Sequence, residues 1–502
     1  MHRGFLFSFL LLLTVNVFGQ HPYAKKFPII DAWIDSVMKE WNIPGLALGI
    51  VYKDQLIYGK GYGYRDLEKK LPVETTTLFP IASNTKLFTA TAACMLAEEG
   101  KLSLRRPVKE YFPALNFHND ELNARVTLID MLSHRTGLPR YDGIWIGATF
   151  NRKELVSKFA YMQPQIGFRE GYIYNNMMFS AAGMVMEQVT GKSWEEIIRQ
   201  KIFEPLGMNA SCFTTEEMKK YGNYSLAYFE TDSGQRLLPK QYEAQSDALG
   251  PAGTIKSSVE DMSRWMIALL NNGMYKGKQV IPKKAIDQTL EPFTVAEKTT
   301  RWDELSNALY CLGRSIQTYK GIKMSSHTGS IDGFYSQLVF LPQQQLSIFI
   351  IFNAVEASSL RPIITFPVID RLLGLGYTPW SQRYRTTYLT EKERGKRITD
   401  SVRNLQIKNT KPSHQLSEYA GTYTNNIYGD ITIEHSNGEL VFNFRRQRSV
   451  LKHFHYDQFY TDNKDSDAPD FRLYFLTNDK GEIDRISTRL YGDPQTEFIK
   501  KQ

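Results

Sequence analysis

A serine and a lysine three residues apart can act as a nucleophile and its base. On a helix such residues are neighbours, with Cβ atoms about 5–6 Å apart, so the lysine amine reaches the hydroxyl one turn before it. The 502-residue chain offers this spacing three times: Ser36 with Lys39, Ser83 with Lys86, and Ser449 with Lys452. The chemistry requires a lysine that has lost its proton. Bringing a lysine from its ordinary pKa of about 10.4 to near 7 takes about 3 units, or roughly 4–5 kcal/mol. Burial and neighbouring positive potential can supply that much. Leu78, Phe79, Ile81, Leu87 and Phe88 surround Ser83 and Lys86 with apolar sequence, and a helix starting at Ser83 adds the positive end of its dipole. The same pattern also suits a surface helix with Ser83 as its N-cap, so the rest of the chain must decide.

The elements that carry each pair separate them. Ser36 and Lys39 lie in "FPIIDAWIDSVMKEWNIPG", where Ile30, Trp33, Ile34, Val37 and Trp41 share one helical face and Pro44 and Gly45 stop the helix. The pair falls with Asp35 on the opposite, solvated face. Ser449 and Lys452 stand in strand-and-turn sequence beside Arg445, Arg446 and Arg448, and strand residues three apart point to opposite faces. The helix from Ser83 is expected to run to about Glu99, with Gly100 as its stop. Two more stretches bear on it. Tyr174-Asn175-Asn176 opens an apolar helix in "GYIYNNMMFSAAG", and His327-Thr328-Gly329 ends a strand in "SSHTGSIDGFYSQLVF". Tyr-x-Asn recurs at Tyr221 and Tyr423, whereas His-Thr-Gly occurs once.

Around these motifs the chain reads as two domains, since its length exceeds what one hydrophobic core usually serves. The strand-like runs "GLALGIVY" and "QLIYGKGYGY", joined by "KDQ", come early. Residues 101–300 read mainly as helices and loops. Strands return as "ALYCLGRSIQ", "GIKMSSHTG", "FYSQLVFLP" and "LSIFIIFNA". The expected class is therefore α+β: an antiparallel sheet flanked by helices, with a helical lobe beside it, over residues 20–385. Residues 386–411 turn polar and read as a linker with some helix. Residues 412–502 show short strands punctuated by Asn437-Gly438 and Lys480-Gly481, the pattern of a small all-β, lipocalin-like barrel. Its aromatics Tyr419, Tyr423, Phe442, Phe444, Phe454 and Phe459 read as core.

"MHRGFLFSFLLLLTVNVFGQ" has Arg3, an apolar run from Phe5 to Leu13 and small or polar residues to Gly19, the layout of a secretory signal peptide. Cleavage after Gly19 and a periplasmic or secreted location are expected, with no stable membrane span afterwards. The net charge of +8 comes from 61 basic and 53 acidic residues spread along the chain, and without a basic stripe or reader motif no nucleic-acid partner is expected. Cys94, Cys212 and Cys311 have apolar neighbours and no Cys/His cluster, so they read as buried small hydrophobes, with no metal site and no cofactor.

Taken in order, the three motifs and the stretches "LFPIASNTKLFTA", "MLSHRTGLP" and "YNNMMFSAAGMVMEQVTGKSWEEIIRQKIFEPLGM" resemble the serine hydrolases of the class C β-lactamase and penicillin-binding protein superfamily over residues 28–385. The resemblance implies that Ser83 is the nucleophile of an acyl-enzyme, Lys86 accepts or relays its proton, and Tyr174 is a second proton-transfer group. It implies that Asn176 bonds Lys86 or the substrate, and that the backbone N–H groups of Ser83 and Ser330 form an oxyanion hole. Thr328 and Gly329 would shape the sheet edge along which substrate lies. His327 is a departure, since many β-lactamases carry lysine there. A histidine of ordinary pKa about 6.5 is mostly neutral at pH 7 and gives a substrate carboxylate less to bind. His327 is expected on the substrate side, and His134 in "LSHRTGLP" is expected to be structural. A small-molecule or peptide substrate follows, a peptidoglycan-derived peptide being one candidate. D-amino-acid-type peptidase or amidase and carboxylesterase activities stand level, ahead of β-lactamase, and a non-catalytic penicillin-binding-like receptor is the alternative class. The barrel is expected to cover the mouth of the site.

Overall fold

The computed structural model describes residues 21–231, 234–238, 247–354, 360–462 and 470–501, and the leader with its cleavage point lies outside them. Nine strands pair antiparallel into one sheet: β1 (Gly45–Tyr52), β2 (Gln55–Asp66), β3 (Leu71–Pro72), β4 (Thr294–Glu297), β5 (Ala308–Tyr310), β6 (Ser315–Tyr319), β7 (Ile322–Ile331), β8 (Phe334–Leu341) and β9 (Leu346–Phe352). Across the sheet they run β4-β5-β6-β7-β8-β9-β1-β2-β3, so the two ends of the domain sequence meet where Leu48 opposes Ile350.

Side chains alternate across a strand, and both faces here are covered. Ile348, Ile350 and Phe352 of β9, with Leu46, Leu48 and Ile50 of β1, pack under helices α1 (Phe27–Glu40) and the later Leu360–Leu373. Phe349 and Ile351 join the opposite core with α2 (Thr85–Glu98), α3 (Asn176–Thr190) and α4 (Val259–Leu270). This is why β1 and β9 read as continuous apolar runs and not as alternating ones. Helix α2 is buried from Thr85 to Leu96. It is a central helix, with Phe88 stacked on Trp265 of α4 at a centroid distance of 4.2 Å.

Three expectations need refinement. "ALYCLGRSIQ" is two strands, broken at Gly313, whose φ of +72° reverses the chain and whose missing Cβ would sit 2.6 Å from the Lys86 carbonyl. The polar stretch after residue 385 belongs to α6 (Trp380–Asn404), one continuous helix that follows α5 (Leu360–Leu373), with Trp380 anchored in the core under the sheet. Ser83 is not an N-cap: it sits in a 3₁₀ turn, Ala82–Asn84, that runs straight into α2, where no side chain caps the helix.

The C-terminal strands β10 (Gly421–Asn425), β11 (Gly429–Ser436), β12 (Glu439–Phe444), β13 (Gln447–His455), β14 (Gln458–Thr461), β15 (Arg472–Thr477), β16 (Ile483–Thr488) and β17 (Thr496–Lys500) form a closed antiparallel barrel, with β10 pairing back to β17. Tyr419, Tyr423, Phe442, Phe444, Phe454 and Phe459 are all buried. On β13 Ser449 points inward and Lys452 is exposed, and on α1 Ser36 and Lys39 are both exposed. Neither Ser-x-x-Lys pair brings its serine and lysine together in a buried site. Cys94, Cys212 and Cys311 are free and buried.

Candidate active site

Ser83 is delivered by a forced turn. Ala82 adopts φ +50°, a left-handed conformation that alanine avoids, and the chain then enters α2. The turn is locked from the sheet: Ser336 of β8 donates its hydroxyl to the Ile81 carbonyl at 2.9 Å and accepts from Asn84 Nδ2 at 2.7 Å. Gly329 of β7 faces the same turn, and a Cβ there would lie 2.2 Å from the Ile81 oxygen and 3.1 Å from Ala82 Cβ. Only glycine lets the strand edge come this close to the turn that carries Ser83.

Lys86 lies wholly inside the protein. Its Nζ donates to Asn176 Oδ1 at 2.8 Å, to the Ala252 carbonyl at 2.8 Å and to Ser83 Oγ at 3.1 Å. Two of these acceptors, being carbonyl oxygens, can only accept. When the amine is neutral its two protons belong to them, and the lone pair is left facing the Ser83 hydroxyl. Burial, helped by the nearby Arg140 guanidinium and opposed by the Asp142 carboxylate, holds the Lys86 amine well below its ordinary range. The sequence motif is therefore a buried amine, lowered in pKa, within hydrogen-bond reach of a hydroxyl.

Tyr174 closes the other side, with the Lys86 nitrogen 4.9 Å and the Arg140 guanidinium 5.0 Å from its ring centre. Burial pushes its phenol well up, and a hydrogen bond with Ser83 draws it partly back. Tyr174 thus stands as a neutral phenol at neutral pH, beside Ser83 and the Lys86 amine. Its position is set by the loop before α3. Asn175 caps α3 through its Oδ1 to the Met178 N–H at 3.2 Å, donates Nδ2 to the Pro139 carbonyl at 2.6 Å, and donates its N–H to His134 Nδ1 at 3.1 Å. The His134 ring packs 4.3 Å from the Tyr174 ring, so the expected structural histidine is a support for the tyrosine. Asp130 in turn holds that loop, accepting from Arg135 Nε at 2.7 Å and Arg169 Nε at 2.8 Å.

Strand β6 pairs with β7 only as far as Ser326, so beyond it β7 has β8 on one side and the cleft on the other. His327 there is buried. Its Nδ1 donates to the Thr328 carbonyl at 2.7 Å, which makes Nε2 the acceptor of the Tyr310 hydroxyl at 2.9 Å. Burial, with the Lys86 charge beside it, drives the His327 pKa down to about 3. Arg361 donates to the Gly329 carbonyl at 2.9 Å and Ser330 Oγ at 2.7 Å. These groups surround a cleft of about 590 Å³ lined by Ser83, Tyr174, Asn176, His327, Thr328 and Ser330, and also by Arg140, Asp142, Trp145 and Tyr310. All eight residues singled out in the sequence thus meet at one place, Gly329 as backing for the turn, Lys86 buried behind Ser83 and the other six lining the cleft. Asp142, Arg140, Tyr310, Asn84, Ser336 and Arg361 carry no motif, and sequence reasoning missed them. Among the described residues no group of three or more His, Cys, Asp or Glu side chains could hold a metal ion, and no helix is long and apolar enough to cross a membrane.

A Ser-x-x-Lys helix start facing a tyrosine and a sheet edge, on a large antiparallel sheet between helices, defines a serine hydrolase of the β-lactamase and penicillin-binding protein superfamily. The Beta-lactamase family model matches residues 30–363, and the chain belongs to that family; residues 405–501 match a domain of unknown function, DUF3471. The unguisins hydrolase ungD of Aspergillus violaceofuscus is 26% identical over 446 residues, covering 80% of this chain and 76% of the relative. Protein flp of Staphylococcus aureus strain MW2 is 26% identical over 329 residues, 64% of this chain and 62% of the relative. Among solved structures, the octameric penicillin-binding protein homologue from Pyrococcus abyssi aligns with a TM-score of 0.61 at 22% identity, covering 94% of this chain and 100% of that one. SurE solved with D-Leu aligns with a TM-score of 0.55 at 17% identity, over 95% and 100%.

Proposed function

We propose that the protein is an exported hydrolase that cleaves an amide or ester through an acyl-enzyme on Ser83. The observation that carries this is the donor pattern of Lys86, whose two carbonyl acceptors leave its lone pair for the Ser83 proton. Ser83 Oγ attacks the substrate carbonyl carbon as its proton passes to Lys86 Nζ, and the carbonyl electron pair moves onto oxygen. The backbone N–H groups of Ser83 and Ser330 receive that oxyanion. Collapse breaks the bond to the leaving amine or alcohol, which takes a proton from Lys86 by way of Tyr174. Water then attacks the acyl ester, with the same two side chains returning its proton to restore Ser83.

The cleft favours a substrate without a carboxylate to anchor. His327 is neutral and bonded on both nitrogens, Arg361 is engaged by the strand, and Arg140 is engaged by Asp142 through contacts of 2.8 and 2.6 Å. This ranks β-lactams below amides and esters. A hydrolase is supported by a relative named as a hydrolase of unguisins, and a D-amino-acid-type peptide or amide by a fold neighbour solved with D-Leu. The test is intact-protein mass and turnover with a D-amino-acid p-nitroanilide, a p-nitrophenyl ester and a penicillin, for wild type and Ser83→Ala. Turnover of either of the first two with an acyl adduct on wild type alone is expected. Retained turnover in folded Ser83→Ala, or no adduct and no turnover with any of the three, overturns the proposal.

A further inference from the structure

Among the described residues, the barrel contributes none to the lining of the cleft. It reaches the site by another route. The cleft residues Asp142 and Ile146 bracket one backbone turn, Asp142–Ile144 and the residues after it, entered through Tyr141 at φ +49°. Two barrel side chains hold both ends of that turn. Asp493 accepts the N–H of Asp142 at 3.0 Å and of Gly143 at 2.8 Å, and Tyr428 donates its hydroxyl to the same carboxylate at 3.1 Å. Arg445 Nη1 donates to the carbonyls of Gly143 and Ile146, each at 2.7 Å. A Cβ on Gly143 would lie 2.7 Å from Asp493 Oδ2 and 3.1 Å from the Tyr428 ring. Of the basic cluster seen in the sequence, Arg445 is engaged here while Arg446 and Arg448 are exposed.

The side chain of the clamped turn points the other way, into the catalytic machinery. Asp142 Oδ1 accepts from Asn176 Nδ2 at 3.3 Å and from Trp145 Nε1 at 3.0 Å, and its Oδ2 binds Arg140. Asn176 is the residue whose oxygen receives Lys86 Nζ. Arg140 and Asp142 are also the two charges that the Lys86 amine feels most.

We infer that the barrel is a positioning device for the acylating centre: Asp493 and Arg445 fix the 142–146 turn, and through Asp142 and Arg140 they set Asn176, Lys86 and Tyr174. This rests on the acyl-enzyme reading for its kinetic half only. The full chain carrying Asp493→Ala, Arg445→Met or Arg445→Lys is compared with wild type and with Arg446→Met, an exposed neighbour outside the clamp. Hydrogen–deuterium exchange of residues 139–151 and the rate of Ser83 labelling by a fluorophosphonate are measured, with melting curves to show that both domains stay folded. Loss of two charge-assisted bonds should speed exchange at Asp142 and Gly143 by roughly 10- to 100-fold. Labelling should slow by about tenfold or more, equivalent to 1.4 kcal/mol. Arg445→Lys, which keeps one donor to a carbonyl, should recover part of both losses, and Arg446→Met should behave as wild type. Folded Asp493→Ala and Arg445→Met proteins that label at the wild-type rate overturn the inference. So do variants that label slowly with unchanged exchange in the loop. If wild type itself does not label, the acyl-enzyme reading fails, and the exchange result still decides whether the barrel clamps the turn.

Discussion

Lys86→Met separates the catalytic duty of the lysine from its packing. Methionine follows nearly the same path through the core, and a volume-conserving swap of this kind usually changes stability by less than about 1.5 kcal/mol. Two acceptors, Asn176 Oδ1 and the Ala252 carbonyl, lose their donor. Each buried group left open in this way costs about 1–3 kcal/mol. Against that, an amine whose charged form burial disfavours is gone. The net loss of stability should therefore be a few kcal/mol at most, small beside the kinetic effect. Removing a positioned base lowers the rate by about 10²- to 10⁴-fold, or roughly 3–5 kcal/mol of barrier. The assay pairs fluorophosphonate labelling of Ser83 between pH 6 and 9 with urea denaturation of the same samples. The variant should label slowly at every pH while unfolding through the same transitions as wild type. A folded Lys86→Met protein that labels like wild type would refute the assignment of Lys86 as the base.

Three further outcomes follow from the same geometry. Tyr174→Phe keeps the ring packed on His134 but removes the proton donor, so turnover should fall by about 10²- to 10⁴-fold with an almost unchanged melting temperature. Equal kcat in the two proteins would exclude Tyr174 from proton transfer. Gly329→Ala puts a methyl group against the backbone oxygen of Ile81, which cannot swing away, so stability should drop by about 1–3 kcal/mol and labelling of Ser83 should slow; an unaffected labelling rate would show that the strand edge does not position the nucleophile. His327 is held at about 3 in the folded state against 6.5 unfolded, so the unfolded chain takes up its proton first as pH falls. Its contribution to stability is complete above pH 6.5 and is lost from there down toward pH 3, by roughly 3 kcal/mol at pH 4.5. His327→Gln should lose less stability than wild type between pH 6.5 and 4.5; identical slopes in both would contradict the buried neutral histidine.

What the sequence determined by itself was local and periodic. The apolar runs of β1 and β9 announced strands, and the helical stripe Ile30, Ile34 and Val37 placed Ser36 and Lys39 on the surface. The Ser83, Tyr174 and His327 motifs could be recognised because each occupies only a few consecutive residues. Tertiary structure decided the rest, because the missing groups act across the chain. Whether Ser83 was a surface cap or lay against a buried lysine turned on α2 being central, a consequence of sheet and helices closing on both sides of it. The polarity of Lys86 depended on the carbonyl of Ala252, a backbone atom, and backbone atoms leave no mark on residue type. Tyr310 and Ser336 are an ordinary tyrosine and serine until strand pairing brings one to His327 and the other to the turn before Ser83. Asp493, 350 residues beyond Gly143, had no signal in one sequence at all, since its meaning comes only from where a closed barrel happens to rest.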